Sequence, residues 1–186
     1  MTRIVAGTAG GRRLKVPPKG TRPTSERVRE ALFNALGTAG ELDGAHVLDL
    51  YAGSGALGLE ALSRGAADAL FVESDRRAVE VLRDNVSALG LGGTVRAAPV
   101  EAVVAAPAPR SYDLVLADPP YIVDAGALRK VLAALASSGW LGSSALVVVE
   151  RAARDGAPGW PPGFEPTRAK KYGDTAVHWA EYTAGV

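Results

Sequence analysis

The quartet Asp118-Pro119-Pro120-Tyr121 sets a carboxylate, two residues without backbone N–H groups and an aromatic ring in a row. Two successive prolines fix φ and leave nearby carbonyls as unopposed acceptors. Such acceptors beside an aromatic face suit an amino group on a flat heterocycle: the oxygens take its N–H bonds while the ring stacks on the base. Asp-Pro also occurs in plain acidic turns, so the quartet needs company to mean chemistry. A second stretch, Val47-Leu48-Asp49-Leu50-Tyr51-Ala52-Gly53-Ser54-Gly55-Ala56-Leu57-Gly58, supplies it. There a strand runs into glycines and then a helix, so backbone can approach a ligand closely. Gly53-x-Gly55-x-x-Gly58 satisfies the dinucleotide fingerprint, and Glu73 stands twenty positions after Gly53, where a ribose-binding acid is expected. Asp49, at the strand end, would repel a pyrophosphate and instead favours a cofactor with a cationic amino-acid head.

The elements that must position these groups follow a repeated strand–helix pattern. Strands are predicted at His46–Leu50, Ala69–Glu73, Thr94–Ala98, Tyr112–Ala117 and Ala145–Glu150, with helices near Ala56–Arg64, Arg76–Leu89 and Ala127–Ala136. Such alternation implies right-handed crossovers and a parallel sheet with helices on both faces, its ligand crevice at the carboxyl ends of the strands. Phe164–Lys170 and Thr175–Tyr182, joined by Lys171-Tyr172-Gly173-Asp174, read as a terminal antiparallel pair. Upstream, Arg3–Ala6 and Arg12–Val16 flank a glycine-rich turn and predict a hairpin, with Pro17-Pro18-Lys19-Gly20 as linker. A helix follows, with Thr24 as N-cap, Glu26 in its first turn and Gly37 as its stop. The residue-102 to residue-109 stretch is alanine-rich and carries no predicted element. His46 and His178 fall in predicted strands and read as sheet residues. Asp113 is expected in a turn, Glu150 at a strand end on the ligand edge, either solvated or touching substrate, and the three tryptophans as packing residues.

At 186 residues, 47% hydrophobic and 22% charged, the chain has material for one globular core. Zero cysteines exclude a disulfide framework and any thiolate metal site. No apolar run is long enough to span a bilayer, and Met1-Thr2-Arg3-Ile4 opens no signal-peptide core, so a cytoplasmic protein without a membrane partner is expected. The net charge of +1 hides an asymmetry: residues 1–30 carry a net +6 and the remainder −5. A basic arm on a mildly acidic body is the electrostatic footprint of a protein that meets nucleic acid at one end.

The residues together resemble a known family. Asp49-Leu50-Tyr51-Ala52-Gly53-Ser54-Gly55, Phe71-Val72-Glu73 and Asp118-Pro119-Pro120-Tyr121 are similar to motifs of class I S-adenosylmethionine-dependent methyltransferases acting on exocyclic amines. The N-terminal Arg3-Ile4-Val5-Ala6-Gly7, Gly10-Gly11-Arg12-Arg13-Leu14 and Arg22-Pro23-Thr24-x-x-x-Val28-Arg29-Glu30-Ala31-Leu32-Phe33-Asn34, with Lys171-Tyr172-Gly173-Asp174-Thr175, narrow the resemblance to the RsmD family, bacterial 16S rRNA guanine-N2 methyltransferases. That resemblance implies a Rossmann-like α/β fold: a mostly parallel seven-stranded sheet, an antiparallel C-terminal strand pair and an N-terminal β-hairpin extension. It implies a hairpin and linker over residues 1–20 and a methyltransferase domain over 21–186. By the same resemblance Asp49, Tyr51, Gly53, Gly55, Glu73 and the Val100 amide hold S-adenosylmethionine, leaving S-adenosylhomocysteine as product. Asp118, Pro119, Pro120 and Tyr121 form the catalytic corner, and no metal is required. Asp75 is a further ribose candidate or simply a helix N-cap. Arg3, Arg12, Arg13, Lys15, Lys19 and Arg22 meet 16S rRNA, within a small-subunit particle, and a monomer is expected. Other classes remain open at this point: an adenine-N6 nucleic-acid methyltransferase, an NAD-dependent oxidoreductase, and a non-catalytic RNA-binding module.

Overall fold

The computed structural model describes residues 2–18 and 25–185. Its first two strands, β1 (Thr2–Arg3) and β2 (Arg13–Leu14), pair antiparallel as the predicted hairpin. Beyond them Ile4 still exchanges backbone bonds with Gly11 and Arg12, after which backbone groups turn to the body. The Val5 and Ala6 N–H groups donate to Glu60, and the Lys15 N–H donates to Asn85. The turn is seated just as closely: the Thr8 N–H donates to the Ser63 carbonyl and the Ala9 N–H to Ser63 Oγ. Gly7 permits that seat, since a Cβ there would lie 1.9 Å from the Ser63 carbonyl oxygen. Ile4, Ala9 and Leu14 are buried in one core with Phe33, Leu36 and Leu59. An isolated hairpin is marginal in water; this one gains its order from the body.

Helix α1 (Glu26–Thr38) begins at Ser25, whose Oγ accepts from the Val28 N–H. The cap expected at Thr24 lies outside the described residues, and Ser25 performs that task. Gly37 does not stop the helix; it lies inside it. The chain turns at Gly40, φ +75°, where the Glu41 N–H returns to the Leu36 carbonyl.

The main sheet contains β3 (His46–Leu50), β4 (Asp68–Glu73), β5 (Thr94–Ala97), β6 (Tyr112–Ala117), β7 (Leu141–Ala152), β8 (Phe164–Tyr172) and β9 (Thr175–Tyr182). Its order is β5-β4-β3-β6-β7-β9-β8; the first five strands are mutually parallel, while β9 pairs antiparallel with both β7 and β8. Helices α2 (Ala56–Ser63), α3 (Arg76–Leu89), α4 (Val100–Ala105) and α5 (Ala125–Ser137) form the crossovers. Alternate strand residues serve two cores. Val47, Leu114 and Val148 face the hairpin, α1, α2 and α3, while Leu48, Val115 and Val147 face α4 and α5. Trp140 is fully buried in the second core, stacked on Tyr112 with its indole N–H on the Ala106 carbonyl. Helix α4 arises in the stretch that carried no predicted element, because Val100, Val103 and Val104 find cover on α5. Asp113 is not in a turn: it lies in β6, and its carboxylate accepts from the His46 N–H. Strand order switches between β3 and β6, with β4 and β5 laid down to one side and β7 to the other, so the carboxyl ends of these two parallel neighbours open a crevice between them.

Candidate active site

A cleft of about 680 Å³ occupies that crevice. Register explains its floor. Leu50 pairs with Ala117, so Tyr51 and Asp118 emerge side by side where β3 and β6 end. The Asp118-to-Tyr121 corner lines the cleft throughout, with Asp118 and Pro119 half-buried and Pro120 and Tyr121 exposed. The Val123 N–H closes the turn onto the Pro120 carbonyl, and Asp124 then caps α5 through the Ala127 N–H. The Arg154 guanidinium stands over the Tyr121 ring at 5.7 Å, within cation–π range.

Opposite lies the glycine loop. Tyr51 is a non-glycine residue at φ +58°, and burial with help from Glu101 pushes its phenol up to about 12, so it stays a neutral donor. The three fingerprint glycines have different tasks. Gly53, φ +57°, has open space where a side chain would stand and lines the cleft. Gly55, φ +87°, would place a Cβ 2.5 Å from Leu82, and Gly58 one 2.4 Å from Phe71. Gly55 and Gly58 therefore serve close packing, and neither lines the cleft. Glu73 fixes the loop: one oxygen accepts from the Gly53 N–H and the other from the Ser74 and Asp75 N–H groups, all at 2.8 Å. It still presents an edge to the cleft. Asp75 caps α3 through the Ala78 N–H, the second of its two expected roles, and it also lines the cleft.

Asp49 sits beneath the loop instead of on the cleft wall. It is fully buried, with Oδ2 accepting from the Gly58 N–H at 2.9 Å and Oδ1 without a hydrogen-bond partner among the described residues. Burial pushes its carboxyl well above the usual carboxylate range; the Gly58 bond opposes this, while Asp118 and Glu73 add repulsion. Val100, at the start of α4, is buried and also absent from the cleft wall.

The basic arm is arranged differently from a free arm. Arg3 bonds Glu26 at 2.8 Å, Arg12 donates to the Ala88 carbonyl and Lys15 pairs with Asp84 at 3.2 Å. These residues and Arg13 remain exposed, outside the cleft; Lys19 and Arg22 lie outside the described residues.

Among the charged residues of the cleft wall, sequence reasoning left Glu150 between substrate contact and solvation and singled out none of Arg151, Asp155 and Arg29. Glu150 is 8% exposed on the cleft wall, because it pairs into β7 between β6 and β9. Arg151 and Asp155 join it, Arg151 holding the following turn through the Gly156 and Ala157 carbonyls. The fourth, Arg29, is fully buried on α1. Its spacing from Leu32 and Phe33 places it on the apolar face, the one signal that could have found it.

The lining holds the carboxylates of Glu73, Asp75, Asp118, Glu150 and Asp155 against the guanidiniums of Arg29 and Arg151. That surplus disfavours a pyrophosphate and favours a cationic ligand. Val16, Tyr121 and Ile122 are the exposed large hydrophobics among the described residues, Ile122 at 90%, and all three lie on the cleft wall. An apolar rim around an acidic floor suits a flat base entering over a cationic cofactor.

Residues 2–181 match the model of a family described as conserved hypothetical protein 95. The chain is 39% identical, over 94% of its length and 86% of the relative's, to ribosomal RNA small subunit methyltransferase D of Escherichia coli K12. A solved Escherichia coli structure, the putative methyltransferase yhhF, superposes with a TM-score of 0.88 at 38% identity, covering 99% of each chain. The RNA methyltransferase from Salinibacter ruber, in complex with S-adenosyl-L-homocysteine, shares the fold with a TM-score of 0.65 at 18% identity over 89% of this chain and 96% of that one.

Proposed function

The chain belongs to the conserved hypothetical protein 95 family, the RsmD family, and on that premise we propose that it methylates the exocyclic N2 amine of a guanine in 16S rRNA from S-adenosylmethionine. One observation carries the chemistry: the Asp118-to-Tyr121 corner lines the same acidic cleft as the glycine loop and Glu73. The residues present fit this cofactor. Gly53 keeps the loop open, Glu73 offers a carboxylate edge to ribose hydroxyls, and the acidic lining suits a sulfonium and an ammonium. Once bound, the cofactor supplies a methyl group already activated on sulfur.

The chain's own part is positioning. An exocyclic amine is a poor nucleophile because its lone pair is delocalised into the ring. Hydrogen bonds from the amine to the Asp118 carboxylate and the Pro119 carbonyl localise that lone pair and offset developing positive charge. In this reading the Asp118 carboxylate also takes the proton that the methylated nitrogen sheds. Tyr121 stacks on the base and, with Val16 and Ile122, gives a withdrawn nucleotide an apolar rim. In this reading residues 1–20 form an RNA-facing extension on the methyltransferase domain of residues 21–186, acting as a monomer. Arg3, Arg12, Arg13 and Lys15 meet phosphates along its outer side.

The test uses small-subunit particles from a strain lacking the protein, incubated with it and labelled S-adenosylmethionine, then mapped by nucleoside. Label in N2-methylguanosine is expected. Label in adenosine overturns the base assignment, and no label in RNA overturns the substrate class.

A further inference from the structure

A buried charge cluster joins the hairpin, α1 and α2. Glu60 is fully buried, and its carboxylate accepts four bonds: from the Val5 N–H at 2.8 Å, the Ala6 N–H at 3.1 Å, Arg29 Nε at 3.3 Å and Arg64 Nε at 2.9 Å. Arg64 also bonds Asn34. Arg29 Nη2 donates to the Arg3 carbonyl, while Arg29 Nη1 has no hydrogen-bond partner among the described residues. Two guanidiniums on one carboxylate leave one surplus positive charge, with the Arg29 side chain 1% exposed. Burying an uncompensated cation is costly. Of the two arginines, Arg29 alone lines the cleft. An anionic group entering the cleft would therefore meet the cluster at Arg29.

We propose that Arg29, held in place by Glu60, binds the carboxylate of the cofactor's amino-acid end. The inference rests on the methyltransferase reading and adds to it a residue and a contact. An RNA phosphate fits less well: Arg29 is enclosed behind the hairpin, and the five cleft carboxylates repel a polyanion. The amino-acid end of the cofactor carries one carboxylate beside an ammonium, so one cation among carboxylates matches its charge pattern. Arg29 shares the wall with Tyr51, Ala52 and Gly53, the loop on which this end would rest. Glu60 thereby couples cofactor and hairpin, since the same carboxylate fixes Arg29 and the Val5–Ala6 backbone.

Calorimetric titration with S-adenosylhomocysteine and with its decarboxylated analogue, which keeps the amine, tests this. The wild-type protein should prefer the carboxylate-bearing ligand by roughly 10- to 100-fold, the range of a charge-assisted contact. Arg29→Lys and Arg29→Gln should lose most of that preference while holding the analogue to within about twofold of wild type. The wild-type comparison needs no variant, so the proposal stays exposed even where a variant fails to fold. Equal wild-type affinity for both ligands overturns it. So do variants that weaken both ligands in parallel, the mark of a structural role. Variants that keep both affinities but bind RNA more weakly overturn it as well, assigning the anion to a phosphate. Failure of wild type to bind either ligand is a separate result, and it removes the methyltransferase reading on which the proposal stands.

Discussion

The two walls of the cleft are built on opposite principles. On the glycine-loop side, Glu73 carries three backbone bonds, Gly55 and Gly58 are pressed against Leu82 and Phe71, and Asp49 is sealed beneath. On the other side, Tyr121 is 60% exposed and Ile122 90% exposed, on a turn closed by one backbone bond from Val123 to Pro120. A wall already fixed by backbone bonds and close packing loses little entropy on meeting a small ligand, which is the sense of preorganisation. An exposed apolar rim waits for a partner large enough to cover it. Under the proposed methyltransferase function, the closed wall would take the cofactor and the open wall the nucleic acid.

The largest effect should come from the open wall. Asp118→Ala should lower kcat by about 10²- to 10³-fold, the usual cost of one preorganised group facing developing charge. S-adenosylhomocysteine affinity, measured by calorimetry, should stay within about twofold. A parallel loss of affinity would move Asp118 to the cofactor side and break the contrast.

Gly58→Ala attacks the closed wall. Its Cβ would lie 2.4 Å from Phe71 Cε1 and 3.0 Å from Asp49 Oδ2, both buried groups with little room to move. Overpacking of this kind costs about 1–3 kcal/mol, readable in urea unfolding. Cofactor affinity should fall with it, while RNA affinity holds. If stability is unchanged, the packing role assigned to Gly58 is wrong.

Asp49→Asn is gentler, because an amide oxygen can still accept from the Gly58 N–H. Burial raises the Asp49 carboxyl above its ordinary value of 3.8, so the folded state binds that proton more tightly than the unfolded state does. Its contribution to stability is then fully present below the unfolded value and is lost as pH rises through the folded one. Relative to wild type, Asp49→Asn should gain thermal stability toward neutral pH, and the two melting curves should draw together in acid. A deficit that persists at neutral pH would mean that the ionised carboxylate stabilises the loop.

These substitutions also mark what could be read from the sequence. The bounds of β3, β6, β9 and α3 follow from local periodicity and turned out as predicted. Helix α4 was hidden because Pro99, Pro107 and the alanines look like a loop, and its helical state depends on α5 covering three valines. The fingerprint glycines were visible, but their separate tasks depend on Leu82 and Phe71, which only the fold brings near. Arg29 was passed over, although an odd charge on an apolar helix face was there to be read; its partner Glu60, 31 residues away, left no such signal. The basic arm showed its charge but not its neighbours, since Glu26, Asp84 and the Ala88 carbonyl meet it only once the hairpin docks.

That arm carries the smallest and most discriminating prediction. Lys15 is tied to Asp84 at 3.2 Å with both side chains largely exposed, and such a pair contributes about 0–1 kcal/mol to stability. Arg13 is also exposed and lies on β2 of the same hairpin, where no ion pair holds it among the described residues. If the outer side of the hairpin meets phosphates, Arg13→Ala should weaken RNA binding at low salt and reduce the salt-dependence slope by about one unit. Its melting temperature and its affinity for S-adenosylhomocysteine should not change. Lys15→Ala should weaken RNA binding less, because Asp84 already neutralises part of that charge in the free protein. An unchanged slope for Arg13→Ala would show that the hairpin serves the cofactor wall alone, through Glu60 and Arg29, and that the RNA is gripped elsewhere on the open side.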